Sequence, residues 1–236
     1  MNLQLPTPDS SPTVRLSTFA FFVKNVIRQR GLQRLTGHGH LLGTGMAFPW
    51  DIFAEVELAS GEIVEDLKLS QELARRGRGA VVVEEARVLS NAESDRNTLS
   101  QRRRWEGGFL RNALRVGPSL FVRSVARANW RGVWAAVNSM IPPIALLIIL
   151  DITFLLLAGV LTALTGASPW PVLVLFGSVL LASFALGFAW LAGGSKFVTP
   201  AALVRIPFYI LWKVSLYLGL VREGAPKEWR RTPRGD

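Results

Sequence analysis

The chain has 236 residues, with 27 Lys and Arg against 17 Asp and Glu, for a formal net charge of +10. It contains no cysteine, which excludes disulfide scaffolds, thiolate metal sites and cysteine nucleophiles. Half of the residues are hydrophobic and the mean hydropathy is +0.30, too apolar for a disordered chain and high for an ordinary soluble one.

Residues 1–14 are polar, carry Pro6, Pro8 and Pro12, and lack the apolar core of a secretory signal peptide, so a disordered N-terminus is expected there. Phe19–Val26 is mostly apolar but far too short to span a bilayer. Residues 15–105 read as mixed α/β. His40–Phe48 is strand-like and passes through Gly43-Thr44-Gly45, and Trp50–Leu58 reads as a short helix. Glu65–Arg76, with Leu67, Leu69 and Leu73, reads as a helix stopped by Gly77. Ala80–Val83 is a valine-rich strand that Ala86–Leu89 extends after a bend. A polar loop, Ser90–Asn97, leads to Thr98-x-x-Gln101, a capping-box pattern. The helix it opens runs through Gln101-Arg102-Arg103-Arg104-Trp105 and continues over 106–132 as a basic amphipathic interface helix.

The charges are unevenly placed. Met1–Arg131 holds 19 of the basic residues and Lys196–Asp236 the other 8, while Val133–Gly194 has none and its one acid is Asp151. A bilayer core takes roughly 20 apolar helical residues to cross, so residues 133–194 fit two spans. These are placed at about Pro143–Ala163 and Trp170–Leu191, with Thr165–Pro169 as the break. The break is uncharged and both outer flanks are basic, which puts both termini in the cytoplasm. Pro200–Val221 is apolar and aromatic but interrupted by Arg205, Pro207 and Lys213. Arg205 and Lys213 are about two turns apart, so both are expected to face the headgroups from an interfacial helix within residues 195–236. Asp151 inside the first span either lines a channel or sits protonated against Ser139, Thr153 or another helix.

Three clusters carry possible chemistry. Glu65-Asp66 opens a helix, where acids favour the dipole, or where one carboxylate serves as a general base. Gln101–Trp105 is a solvated or lipid-facing basic face, or a diphosphate clamp with an aromatic plate for a sugar ring. Gly43-Thr44-Gly45 makes a bulge, or lets backbone approach a ligand closely. His38-Gly39-His40 is read as a surface turn, not a metal site, because no third ligand stands near it in the sequence.

In this order, Gly-Thr-Gly, Glu-Asp, Gln-x-x-Arg-Trp and then membrane helices resemble membrane-embedded family 2 glycosyltransferases of the cellulose synthase and exopolysaccharide synthase type. Thr199-Pro200, Leu203, Arg205 and Pro207 fit the start of that family's interface helix, and Glu228-Trp229-Arg230-Arg231-Thr232 looks like its end. The resemblance implies an inverting transfer from a UDP-sugar to a polysaccharide or lipid-linked acceptor, in a bacterial-type inner membrane; no nucleic-acid-binding motif is recognisable, so no nucleic-acid partner is expected. It makes Asp66 the general base with Glu65 beside it, and gives Gln101 and Arg104 to the donor diphosphate. Trp105 would stack on the acceptor sugar, with Gly43, Thr44 and Gly45 lining the acceptor side. Arg102 and Arg103 would face lipid phosphates.

The same resemblance implies Mg²⁺ or Mn²⁺ held by an Asp-x-Asp motif, and no Asp-x-Asp occurs in the sequence. The expected architecture is therefore the acceptor half of a GT-A domain, two transmembrane helices and a C-terminal interfacial helix. The alternative is a non-catalytic fragment or a partner subunit that needs a complementing chain.

Overall fold

The computed structural model describes residues 1–55, 65–92 and 95–224, with the side chains of 75 and 95–101 outside the description. The described residues are mostly helical. The one sheet among them is two-stranded and parallel, β1 (Asn2–Leu5) on β2 (Val88–Asn91), with Asn2 opposite Val88. Residues 1–14 are thus ordered, against expectation. β1 has a ladder partner, and Ser11 caps the next helix by accepting the Val14 N–H at 3.2 Å.

That helix, α1 (Pro12–Phe22), continues through a π-helical turn at Val23–Ile27 into α2 (Arg28–Thr36), which ends at Gly37 with φ +83°. Neither His40–Phe48 nor Ala80–Val83 is a strand. Among the described residues the one bridge near them joins Gly39, just before the first segment, to Ala80, with the Gly39 N–H donating to the Ala80 carbonyl at 2.8 Å. Side chains satisfy the neighbouring backbone instead of a ladder: Gln29 Oε1 accepts from His40 N at 2.8 Å, and Ser70 Oγ accepts from Leu41 N at 2.6 Å. Gln33 Oε1 likewise accepts from Val82 N at 2.5 Å. Left-handed φ values at Gly43 and Gly45 end any extended run there.

The helix α3 (Trp50–Glu55) matches the described part of the expected 50–58 helix. α4 (Glu65–Arg75) stops two residues before Gly77, which has φ +75°. α5 (Asp95–Ala126) begins upstream of Thr98, so Thr98 lies inside the helix and is not its cap. The expected continuous 106–132 helix is broken: Asn129 caps a second helix, α6 (Trp130–Met140), by accepting the Gly132 N–H at 3.0 Å. A Cβ on Gly117 would stand 2.4 Å from Met140, and one on Gly132 2.5 Å from Ser124. α5 and α6 therefore form a tight antiparallel hairpin that only glycine permits at those points.

α7 (Ile144–Thr165) and α8 (Trp170–Leu191) lie where the hydropathy put them, joined across Gly166 at φ +67°. Both are long and apolar enough to cross a membrane, and only 6% of the most apolar window of each is buried. A soluble core helix of that composition would be mostly buried. Asp151 is half-buried on α7 with no bond to it among the described residues; Ser139 and Thr153 donate to carbonyls of their own helices.

Leu16, Phe19, Phe22 and Val26 pack against Ala189 at the end of α8 and against Phe197, Val198 and Tyr209 beyond it. The C-terminal segment is a short helix, α9 (Pro200–Leu203), then α10 (Ile206–Glu223). Arg205 sits at the break between them and is exposed, whereas Lys213 is only 2% exposed. The two do not share a face, because the helix they were expected to share is interrupted. Glu228–Thr232 lies outside the described residues.

Candidate functional site

Asp66 stands in the first turn of α4, half-buried beside the exposed Glu65. Its Oδ1 accepts the Leu67 N–H at 2.8 Å, and its carbonyl accepts the Ser70 hydroxyl at 2.9 Å. Because Ser70 also holds Leu41, α4 ties the 41–45 loop to the carboxylate. A Cβ on Gly43 would come 3.3 Å from Asp66 Oδ2, and one on Gly45 2.2 Å from Val88. Thr44 Oγ1 accepts from Asn2 Nδ2 at 2.8 Å. The Gly-Thr-Gly loop is therefore wedged between the small sheet and Asp66, as a turn and not as a strand. Burial pushes the Asp66 carboxyl above its usual range, against the Leu67 N–H and the Lys24 charge, which pull it down.

The Gln-x-x-Arg-Trp segment lies on α5. Gln101 is placed by its backbone only, its side chain being outside the described residues, and Arg104 is half-buried and engaged. Trp105 is half-buried, with its ring 6.0 Å from Phe21 and the Arg102 guanidinium 5.4 Å over it.

Arg102 and Arg103 do not face lipid. Arg102 is buried and donates to Ser17 Oγ at 3.0 Å and Ser17 O at 2.9 Å, while Arg103 reaches Gly219 O at 3.1 Å and Glu223 at 2.7 Å. Packing α5 against α1 and α10 turns these two positions inward.

Several residues that sequence reasoning passed over complete this region. Glu106, next to Trp105, pairs with Lys213 and accepts the Tyr217 hydroxyl, joining α5 to α10. Arg28 donates to Asn138 Oδ1 at 2.8 Å, which orients the Asn138 amide to donate to His40 Nε2 at 2.9 Å. His40 is thus a neutral structural link and not part of a surface turn; burial, then Arg28, His38 and Lys24, push its imidazole down to about 3. Lys24, on the π-helical turn, is exposed; the protein packed around it pushes its ammonium down, while Asp66 and Glu106 raise it. The signal for Lys24 and Arg28 was their four-residue spacing beside an apolar run.

Asp66 and the Gly43–Gly45 loop stand together, and so do Trp105 and Arg102. No hydrogen bond, ion pair or ring contact joins Asp66 to Trp105 among the described residues. Lys24 relates the two groups: its charge acts on Asp66, and it lines the same cavity as Trp105.

A model of glycosyl transferase family group 2 matches residues 12–216, most of the chain. The chain belongs to that family. Searches of curated proteins and of solved structures gave no match. Membership carries glycosyl transfer in general, from a nucleotide-sugar donor to an acceptor. As for the divalent cation, no group of three or more His, Asp or Glu side chains is placed to hold a metal ion among the described residues. The described residues do not fit one, and no step below is routed through a metal.

Proposed function

We propose that this family 2 glycosyltransferase chain supplies the acceptor side and the membrane anchor of an inverting transfer from a UDP-sugar, of the cellulose synthase-like type. The acceptor is a cell-surface polysaccharide or a glycolipid. One observation carries this reading: Asp66 sits in a half-buried site at a helix start with its carboxyl raised, beneath a loop whose Gly43 keeps the space beside the carboxylate free of a side chain. In the step itself, Asp66 takes the proton of the acceptor hydroxyl as its oxygen bonds to the anomeric carbon. The bond to the diphosphate breaks on the opposite face, and UDP leaves with the electron pair.

Glu65 supports the charge balance at the helix start, Gln101 and Arg104 meet the growing negative charge on the diphosphate, and Trp105 stacks on the acceptor ring. Gly43, Thr44 and Gly45 line the acceptor's path. The ligands for Mg²⁺ or Mn²⁺ come from outside the described residues, in the same polypeptide or a complementing subunit. α7 and α8 cross a bacterial-type inner membrane with both flanks cytoplasmic, supported by their exposed apolar surface and the basic residues outside them.

The test is Asp66→Asn in the complete enzyme, assayed with a radiolabelled UDP-sugar. Transfer is expected to fall by about 10²–10⁴-fold, the usual worth of a positioned base, with UDP affinity unchanged. Turnover within a few fold of wild type would remove Asp66 from the reaction.

A further inference from the structure

A cavity of about 310 Å³ lies between α1 with its π-helical turn, α5, α10 and the Pro142-Pro143 entry to α7. Lys24, Arg28, Arg102 and Lys213 line it, and Glu106 is its only carboxylate. Glu106 is already occupied by Lys213. The other three cations have no ion pair among the described residues. Arg28 bonds Asn138 and Ile141, and Arg102 bonds Ser17, all through neutral oxygens. Those bonds use Nε and Nη2 of each guanidinium and leave Nη1 of each outside them. The Lys24 ammonium has no hydrogen bond at all among the described residues.

Arg28 and Arg102 are held by neutral oxygens with no carboxylate of their own, the exposed Lys24 adds a third positive charge at the cavity edge, and an anion between them gains from all three. The guanidinium forks suit phosphate oxygens, and the ammonium adds a compact point charge. The rest of the wall is apolar, with Val23, Phe109, Ile144 and Leu147, and it runs to the foot of the first candidate span. Ligand pockets commonly measure about 300–1,000 Å³, so this one has room for a phosphate headgroup.

We infer that the cavity binds the phosphate group of a membrane lipid, whose acyl or prenyl chains leave along α7. This rests on the transferase reading and narrows the acceptor to a phosphate-bearing lipid. It assigns Lys24, Arg28 and Arg102 to the headgroup and leaves the proton transfer at Asp66 unchanged.

The full chain in detergent micelles can be probed by native mass spectrometry with three compounds: dioctanoyl phosphatidic acid, dioctanoylglycerol and inorganic pyrophosphate. Retention of phosphatidic acid but not of dioctanoylglycerol is expected. A Lys24→Gln/Arg102→Gln variant should lose at least tenfold in retention, while Arg115→Gln/Arg222→Gln, on exposed surface, should stay within twofold. If the double variant does not fold, Lys24→Gln alone serves, with the lipid expected to raise the melting temperature of wild type and not of the variant. Equal retention by wild type and variant overturns the inference. Pyrophosphate retained in preference to the lipid also overturns it, and reassigns the cations to the donor. The assay contains no nucleotide sugar, so a negative result leaves the Asp66→Asn test to stand or fall separately.

Discussion

Lys24 and Lys213 line the same cavity, yet the protein treats them oppositely. Lys213 is 2% exposed, is pushed down by burial, and is held by Glu106, which also takes the Tyr217 hydroxyl. Lys24 lines the cavity from an exposed position, and only the more distant Asp66 and Glu106 favour its charge. A buried charge with a dedicated partner is a structural joint; an exposed one needs no partner for the fold and stays available to a ligand. The Lys213 joint fastens α10 to α5, whereas the region around Lys24 is held by neutral oxygens and backbone.

The contrast predicts where damage is greatest. Glu106→Gln leaves the Lys213 charge buried without a countercharge, and should cost about 3–5 kcal/mol in a reversible denaturation measurement. Replacing both partners, Glu106→Leu with Lys213→Met, should recover most of that loss; a double variant as unstable as the single would break the comparison.

Gly43→Ala comes next. A non-glycine residue at φ +76°, with its Cβ 3.3 Å from Asp66, should cost about 1–2 kcal/mol, and lower transfer more than donor binding. Unchanged kinetics would mean the loop does not position the acceptor.

Asp66→Asn should shift stability in the opposite sense. The folded carboxyl is raised above its unfolded value, so the stability it contributes is complete below the unfolded value and lost as pH rises through the folded one. The Asn variant should therefore melt higher than wild type at neutral pH, with the gap closing as pH falls towards about 4, near the unfolded value. A constant gap would contradict the raised carboxyl. The smallest effect belongs to Arg103→Ala, whose partner Glu223 is 67% exposed; a loss below about 1 kcal/mol is expected, shrinking further in high salt.

What was legible in the sequence was local. α8 spans Trp170–Leu191, where its hydropathy placed it, and α4 stops before Gly77 because glycine takes the left-handed turn. Gly43-Thr44-Gly45 and Glu65-Asp66 were each legible as motifs, but the approach of Gly43 to Asp66 was not, nor was the turn that makes it. The rest depended on partners far away in the chain. Gln29 and Gln33 complete backbone that a strand would otherwise have paired, which no periodicity encodes. Lys213 reads as an interfacial charge until Glu106, 107 positions earlier, is brought against it. β1 looked disordered because its ladder partner lies beyond four helices.

The π-helical turn at Val23–Ile27 sets the phase between two lengths of one continuous rod. Upstream, Leu16, Phe19 and Phe22 look towards the end of α8; downstream, Gln29 looks towards the loop at His40 and Gln33 towards Val82. A wide turn accommodates roughly one extra residue, and each residue of an α-helix advances about 100°. Deleting one position there would relax the turn to ordinary helix and rotate every downstream side chain by that angle. The core would keep its grip while both glutamines swung off their backbone partners. That single surplus residue is the gearing between the end of α8 and the segments that meet at Gly39.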